Sequence, residues 1–369
     1  MKIEEYGGEE VAVLRLNSRV KHSILQDYLP AWAGILGTWN KTLNYFDCFA
    51  GPGEYVWKGE MVDGSPVISI KVASALLTSN KQGKPDNINL TFIDENDRQL
   101  EKLTKKIEAI KDKPSGLRIH KFKHNSETFI AKLLSDAKDL ASSFFFIDPY
   151  GHPFSLELMK DILTRPRTEI MLNFMYYRII MDLPNPGKRD LCEKLFAPDN
   201  PDRVMHKLTE GTLFSPNKIL EYLHNRLGAK YFIPFYVHYG PDEKITSRKI
   251  KYILIHYSNH FTAFKLMLNI MWKNSDEGQP LMASDNQAVL FPSKGIPELE
   301  LKINKKYMGT GEKLTFERLM EENWQWYFLE RQYRDVLKRY ERAEKIKIER
   351  VTSKTIRELS GDDVVIFMR

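Results

Sequence analysis

The sequence predicts an α/β fold on a mostly parallel sheet that helices cover on both faces, followed by a small C-terminal domain of helices and strands. Two observations carry this. Between residues 43 and 174 short apolar runs alternate five times with helix-like stretches, the pattern of parallel strands joined by helical crossovers. Two strand-like runs then lie close together, Tyr231 to Tyr239 and Lys251 to Tyr257. Strands so near in sequence pair as a hairpin, here expected at one sheet edge.

Each element has its own signal. Residues Ser18 to Trp39 place Ile24, Leu25, Tyr28, Leu29, Trp32, Ile35, Leu36 and Trp39 at helical spacing, with Pro30 near the middle. The five strands are Leu43 to Ala50, Ile88 to Ile93, Leu117 to Phe122, Ser143 to Ile147 and Glu169 to Phe174. Helices are expected from Ser65 to Leu77, opened by Pro66 at its first turn, then over Asp97 to Ile110, Ser126 to Asp139 and Ser155 to Leu163. Residues 176–229 are helix-like and too long for an ordinary crossover, so they form a helical insertion. Ala263 to Trp272 is a further helix. The tail holds helices at Thr315 to Asn323 and Leu329 to Ala343 and short strands at Lys345 to Val351 and Val364 to Met368. That order is winged-helix-like. The expected organisation is an N-terminal helical segment over 1–40, the α/β domain over 41–273, a linker rich in Gly, Pro, Ser and Asn over 274–313, and the small domain over 314–369.

Composition narrows the class. The 369 residues are 42% hydrophobic and 28% charged, which suits a globular protein with ample core. No eighteen-residue apolar stretch marks a membrane span. Met1 to Glu10 is acidic and lacks the basic and apolar regions of a signal peptide. Cys48 and Cys192 are the two cysteines, too few for an iron–sulfur cluster and not spaced for a metal. The nine histidines show no ligand spacing either, so no metal is expected. These features predict a cytoplasmic protein. The net charge of +6 permits an anionic partner.

The chemistry-bearing residues sit at strand ends. The first strand runs into Asp47-Cys48-Phe49-Ala50-Gly51-Pro52-Gly53. Glycines there let the backbone approach a ligand at the switch point of a doubly wound sheet, although a tight turn uses them too. Asp47, Phe49, Ala50, Gly51 and Gly53 are the candidate cofactor loop. Asp94 closes the second strand, where an acid binds the ribose hydroxyls of an adenosine cofactor or caps the next helix. Asn125 follows the third strand, placed to contact adenine or to cap a helix. The fourth strand ends in Asp148-Pro149-Tyr150-Gly151, the candidate catalytic segment. A carboxylate there accepts hydrogen bonds from an amine, and the tyrosine ring stacks on a flat base. Between the glycines and the next helix, Glu54 to Asp63 are extra, with Tyr55 and Trp57 among them. They form a lid over the cofactor, a target surface or a plain surface loop. In the tail, Arg331, Arg334, Lys338 and Arg342 recur on one helical face with Tyr333 and Tyr340 interleaved. Such a face suits phosphates, though interspersed acids make a solvated surface the competing reading.

The segments DCFAGPG, FIDEND and FFFIDPYGHPF resemble, in order and spacing, the motifs of Rossmann-like class I methyltransferases that use S-adenosylmethionine (SAM). DPYGHP is similar to the DPFG-type motif of tRNA guanosine dimethyltransferases and, more distantly, to the (D/N)PPY motif of amino-methyltransferases. Lys21 to Trp32, YFDCFAGPGEY, Gly64 to Val67, Leu254 to Lys273 and the ending ERQYRDVLKRYERAEKI resemble three-Cys-motif partner (TcmP) proteins. That resemblance implies SAM as cofactor and a separately encoded three-cysteine, radical-SAM-like partner. The resulting expectation is a methyltransferase acting on an exocyclic amine of a nucleic-acid base. The alternative is a non-catalytic module that binds SAM and nucleic acid and delivers substrate to the partner.

Overall fold

The computed structural model describes residues 3–6, 8–14, 16–80, 82–137, 140–149, 151, 154–188, 195–196, 199, 201–210, 213–238, 250–276, 279–280, 295–351 and 358–368. The chain divides into two compact units, Met1–Ser275 with Pro280–Val289, and Asp276–Gln279 with Leu290–Arg369.

The first unit opens with a hairpin that sequence reading did not anticipate, β1 (Ile3–Tyr6) with β2 (Glu9–Ala12). Helix α1 (Leu16–Gly37) follows and buries Ile24, Leu25, Tyr28, Leu29 and Trp32 along one stripe. Pro30 lies on the exposed side of that stripe, where loss of one backbone hydrogen bond is met by water, and the helix runs through it. Then come β3 (Thr42–Asp47), β4 (Glu54–Trp57), β5 (Glu60–Asp63), α2 (Ser65–Thr78), β6 (Asn87–Asp94), α3 (Asp97–Ala109), β7 (Leu117–Lys123), α4 (Ser126–Asp136), β8 (Ser142–Ile147), α5 (Leu156–Thr164) and β9 (Thr168–Phe174). The insertion contains α6 (Tyr176–Asp182), α7 (Pro201–Leu208) and α8 (Pro216–Leu227). The unit ends in β10 (Tyr231–His238), β11 (Ile250–Ser258) and α9 (Phe261–Lys273). No described helix is long and apolar enough to cross a membrane.

The seven-stranded sheet has the order β10-β11-β9-β8-β3-β6-β7. Strands β3, β6, β7, β8 and β9 run parallel to one another, whereas β11 is antiparallel to both β9 and β10. The late hairpin therefore sits at the sheet edge with its second strand inserted next to β9. Five parallel strands plus that hairpin make a Rossmann-like methyltransferase sheet. Its central strand β8 reads Ser-Ser-Phe-Phe-Phe-Ile and is buried throughout, as a strand covered on both faces must be. Phe145 stacks on Phe46 of β3 at 4.5 Å between ring centres. The order in which strands are added reverses between β3 and β8, and such a switch point opens a crevice at the strands' carboxyl ends.

Helix α1 lies against α2, α9 and β3. At the amino end of β9 it is tied to the sheet by a buried polar group. The Tyr28 hydroxyl donates to Glu169 Oε2 at 2.5 Å, and His256 Nε2 lies 2.9 Å from the same oxygen.

In the second unit, residues 296–307, expected to be linker, form helix α10 (Ile296–Tyr307). Pro297 at its first turn starts it, and Leu299, Ile303 and Tyr307 give it a fully buried stripe. The density of Gly and Pro on either side obscured this periodicity. Next come β12 (Lys313–Thr315), α11 (Phe316–Glu321), α12 (Glu330–Arg342), β13 (Ile346–Glu349) and β14 (Val364–Phe367), with sheet order β12-β14-β13, all antiparallel. Thr315 caps α11 by accepting from the Arg318 N–H.

Candidate functional site

The site is built where β3, β6 and β8 end. Asp47, the last residue of β3, is fully buried. Burial pushes its carboxyl up to about 7. Hydrogen bonds from Ser65 and the Phe49 backbone oppose the rise, and repulsion from Asp148 adds to it. Phe49 packs edge-on against Phe154, and the Ala50 N–H is bonded to Ile93 O at 3.0 Å. Asp47, Phe49 and Ala50 thus shape the loop from beneath.

Gly51 and Gly53 have φ of 66° and 83°, in the left-handed region that favours glycine. The Gly51 N–H donates to Asp94 Oδ2 and the Asn96 N–H to Asp94 Oδ1, both at 2.8 Å. Asp94 therefore braces the glycine loop. The cap of α3 is Asn96, which accepts from the Gln99 N–H. A carboxylate holds about four lone-pair sites, so two remain for ribose hydroxyls. Asn125 is the N-cap of α4. Its Oδ1 accepts from the Thr128 N–H at 3.0 Å and its amide donates to Glu95. Asn125 thus fills the cap role, one of the two its position allowed.

Residues 54–63 are the hairpin β4–β5, folded back over the glycines. Its Tyr55 hydroxyl would be 2.7 Å from a Cβ placed on Gly51. Burial, then Asp148, Asp47 and Asp94 in turn, raise the Tyr55 pKa. One phenol thus stands among all three strand-end carboxylates. The ring centre is 5.9 Å from that of His22.

Asp148 is not free. It forms an ion pair with Lys21 of α1, and Asn173 Nδ2 of β9 donates to its Oδ1 at 2.5 Å. Both partners are buried. His22, next along α1, is held neutral. Burial and the neighbouring Lys21 bring its pKa down to about 3, against the pull of Asp148. Pro149 follows Asp148, while Tyr150 lies outside the described residues. Lys21, His22 and Asn173 were missed by motif reading. Each is a polar residue on an otherwise apolar face, the one signal the sequence offered.

On α12 the four basic residues separate. Arg331 and Arg342 are exposed and Lys338 is half-buried. Arg334 is paired with Glu330 at 2.5 Å and lies over the Phe316 ring at 5.8 Å. Tyr333 and Tyr340, expected between the charges, are buried in the core of the unit with Val336 and Leu337. They bring no stacking surface to that face.

No protein-family profile and no curated protein matches this chain. Solved structures with a similar fold include protein LPL1258 from Legionella pneumophila, at 11% identity over 75% of this chain and 96% of that one, with a TM-score of 0.41. Trm1 from Pyrococcus horikoshii in complex with SAM is 11% identical over 99% and 96% of the two chains, with a TM-score of 0.34. The magnesium protoporphyrin IX methyltransferase ChlM from Synechocystis PCC 6803 with bound SAH is 11% identical over 66% and 88%, with a TM-score of 0.33. The assignment of a Rossmann-like methyltransferase sheet rests on the strand order and directions of the chain itself.

Proposed function

We propose that the protein is a SAM-dependent methyltransferase acting on an exocyclic amine of a nucleic-acid base, together with a separate three-Cys-motif partner. The observation that supports this is the convergence of a glycine loop, Asp94 and Asp148 at the carboxyl ends of β3, β6 and β8, with Tyr55 among them. The residues fit SAM. Gly51 takes a positive φ on a loop without a side chain, its missing Cβ making way for the Tyr55 hydroxyl, and Asp94 keeps acceptor capacity for ribose hydroxyls. Bound SAM supplies an activated methyl group on a sulfonium. The chain's task is alignment. Asp148, held in place by Lys21 and Asn173, accepts an N–H of the amine and turns its lone pair toward the methyl. The hairpin excludes water from the cofactor. In the second unit, α12 and the three-stranded sheet form a winged-helix module whose Arg331, Lys338 and Arg342 meet phosphates.

Calorimetry tests the cofactor. One SAM or SAH binds per chain, and Asp94→Ala weakens it about ten-fold or more through lost charge-assisted hydrogen bonds. Transfer of a labelled methyl group to nucleic acid, lost in Asp148→Ala with SAH affinity retained, tests the chemistry. Absence of SAH binding overturns the proposal. A second reading is supported by the pairing of Asp148 with Lys21. A carboxylate so engaged is also what a non-catalytic module would retain, one that binds SAM and nucleic acid for the three-cysteine enzyme. SAH binding without methyl transfer, with the partner present, would favour it.

A further inference from the structure

Asn173 carries more than its bond to Asp148. Its amide nitrogen donates to Asp148 Oδ1 at 2.5 Å and lies 3.6 Å from Met175 Sδ, so both of its hydrogens are engaged. Its carbonyl oxygen Oδ1 is buried and has no hydrogen-bond partner. The reverse orientation of the amide would set an oxygen against the carboxylate, so the ion-paired Asp148 fixes which atom is left over. Leaving a buried carbonyl unpaired costs about 1–3 kcal/mol. Asn173 also lines a small apolar pocket with Pro149, Phe154, Leu172, Met175 and Ile179.

We propose that Asn173 Oδ1 is the second acceptor for the substrate amine, so that the site selects a planar primary amine and stops after one methyl group. The inference rests on the amine-methylation reading above. An aromatic NH2 carries two in-plane hydrogens. One points to Asp148 and the other to Asn173 Oδ1, which leaves the nitrogen lone pair perpendicular to the ring and free to meet the methyl donor. As the nitrogen takes the methyl group, the carbon–sulfur bond breaks to leave SAH. The hydrogen that faced Asp148 leaves as a proton through that carboxylate to solvent, and the methylated nitrogen then has one hydrogen. It cannot satisfy both acceptors, and its methyl group takes the place of a hydrogen bond. The monomethylated product is therefore held more weakly than the substrate. This separates the site from one that dimethylates.

The test uses the full chain saturated with SAH. The probes are 9-methyladenine, 1-methylcytosine and 9-methylguanine, each beside its N-monomethyl and N,N-dimethyl form and 9-methylpurine as the base without an amine. Affinity is read by ligand-observed NMR. At least one amino base binds, its N-monomethyl form about ten-fold more weakly, as expected for one hydrogen bond lost at a buried acceptor. Asn173→Leu removes this preference, and Asn173→Ser, which is smaller and leaves the pocket open, does the same where the leucine fails to fold. Both keep SAH affinity. Equal preference in wild type and variants overturns the role of Asn173 while leaving the amine reading standing. Failure of every amino base to bind better than 9-methylpurine, with SAH bound, overturns the inference. Failure of SAH to bind overturns the methyltransferase reading itself.

Discussion

Two buried polar networks tie α1 to the sheet, one at each end of the strands, and they are built differently. At the amino end of β9, Tyr28, Glu169 and His256 bond to one another around a single carboxylate oxygen. At the carboxyl end, Lys21 and Asn173 both serve Asp148, yet Asn173 Oδ1 and His22 Nδ1 are left without partners. Single unpartnered atoms occur elsewhere, such as Ser142 Oγ and the Tyr257 hydroxyl. Around Asp148 they occur together. A network that closes on itself stabilises the fold, whereas one that leaves acceptors open has capacity for a ligand.

The largest effect expected from this contrast is at the closed network. Glu169→Leu strands a buried hydroxyl and imidazole, and the loss of stability should be about 3 kcal/mol or more. Urea denaturation measures it. SAH affinity of the folded fraction should stay at the wild-type value, and a selective loss of SAH binding would erase the distinction between the two ends. Next is the Lys21–Asp148 pair. Lys21→Met leaves a mostly buried carboxylate unpaired and should cost about 1–3 kcal/mol. Adding Asp148→Asn should restore part of it, giving a coupling of about 1 kcal/mol or more in a double-mutant cycle.

A pH dependence is expected to be smaller and opposite for two neighbours. His22 has a pKa of about 3 in the folded chain against 6.5 when unfolded. The unfolded state takes the proton first, so stability is full above 6.5 and falls as pH drops from 6.5 toward 3. Asp47 stands at about 7 against 3.8, so the folded state holds the proton and stability falls as pH rises from 3.8 through 7. His22→Gln should flatten the acid side of a melting-temperature profile, and Asp47→Asn the opposing slope, each on the order of a few kcal/mol at most. The smallest effect should come from α12. Replacing exposed Arg331 and Arg342 by Gln should change stability by less than about 0.5 kcal/mol, while the salt slope of nucleic-acid binding drops by roughly one unit per lost phosphate contact. An unchanged slope makes that face an ordinary solvated surface.

The central strands β3, β6 and β8 were legible because each is a mainly apolar run that ends in an acid, as in Phe-Phe-Phe-Ile-Asp at 144–148. The loop glycines, Asp94 and Asp148 were legible because their roles depend on strand ends, which local pattern marks. Lys21 and Asn173 were not. The first is 127 positions from Asp148, and no local spacing tells that α1 reaches that strand. Asn125 was readable as a cap or a ligand group, since both call for the same side chain at the same place. The hairpin at 54–63 was hidden because Tyr-Val-Trp and Met-Val are too short to show alternation.

That hairpin is closed at its base. The Gly64 N–H donates to Gly53 O at 2.7 Å, and a Cβ on Gly64 would fall 2.9 Å from that oxygen and from the Tyr55 ring. The chain leaves the glycine loop at Gly53 and returns to the same point eleven residues later, at Gly64, ready to begin α2. The excursion is therefore a branch: it can lengthen, shorten or be cut out without shifting the strand before it or the helix after it. A loop joined in series would pass every change in its length to the cofactor site. Joined as a branch, this one lets the cover over that site change while the floor stays where it is.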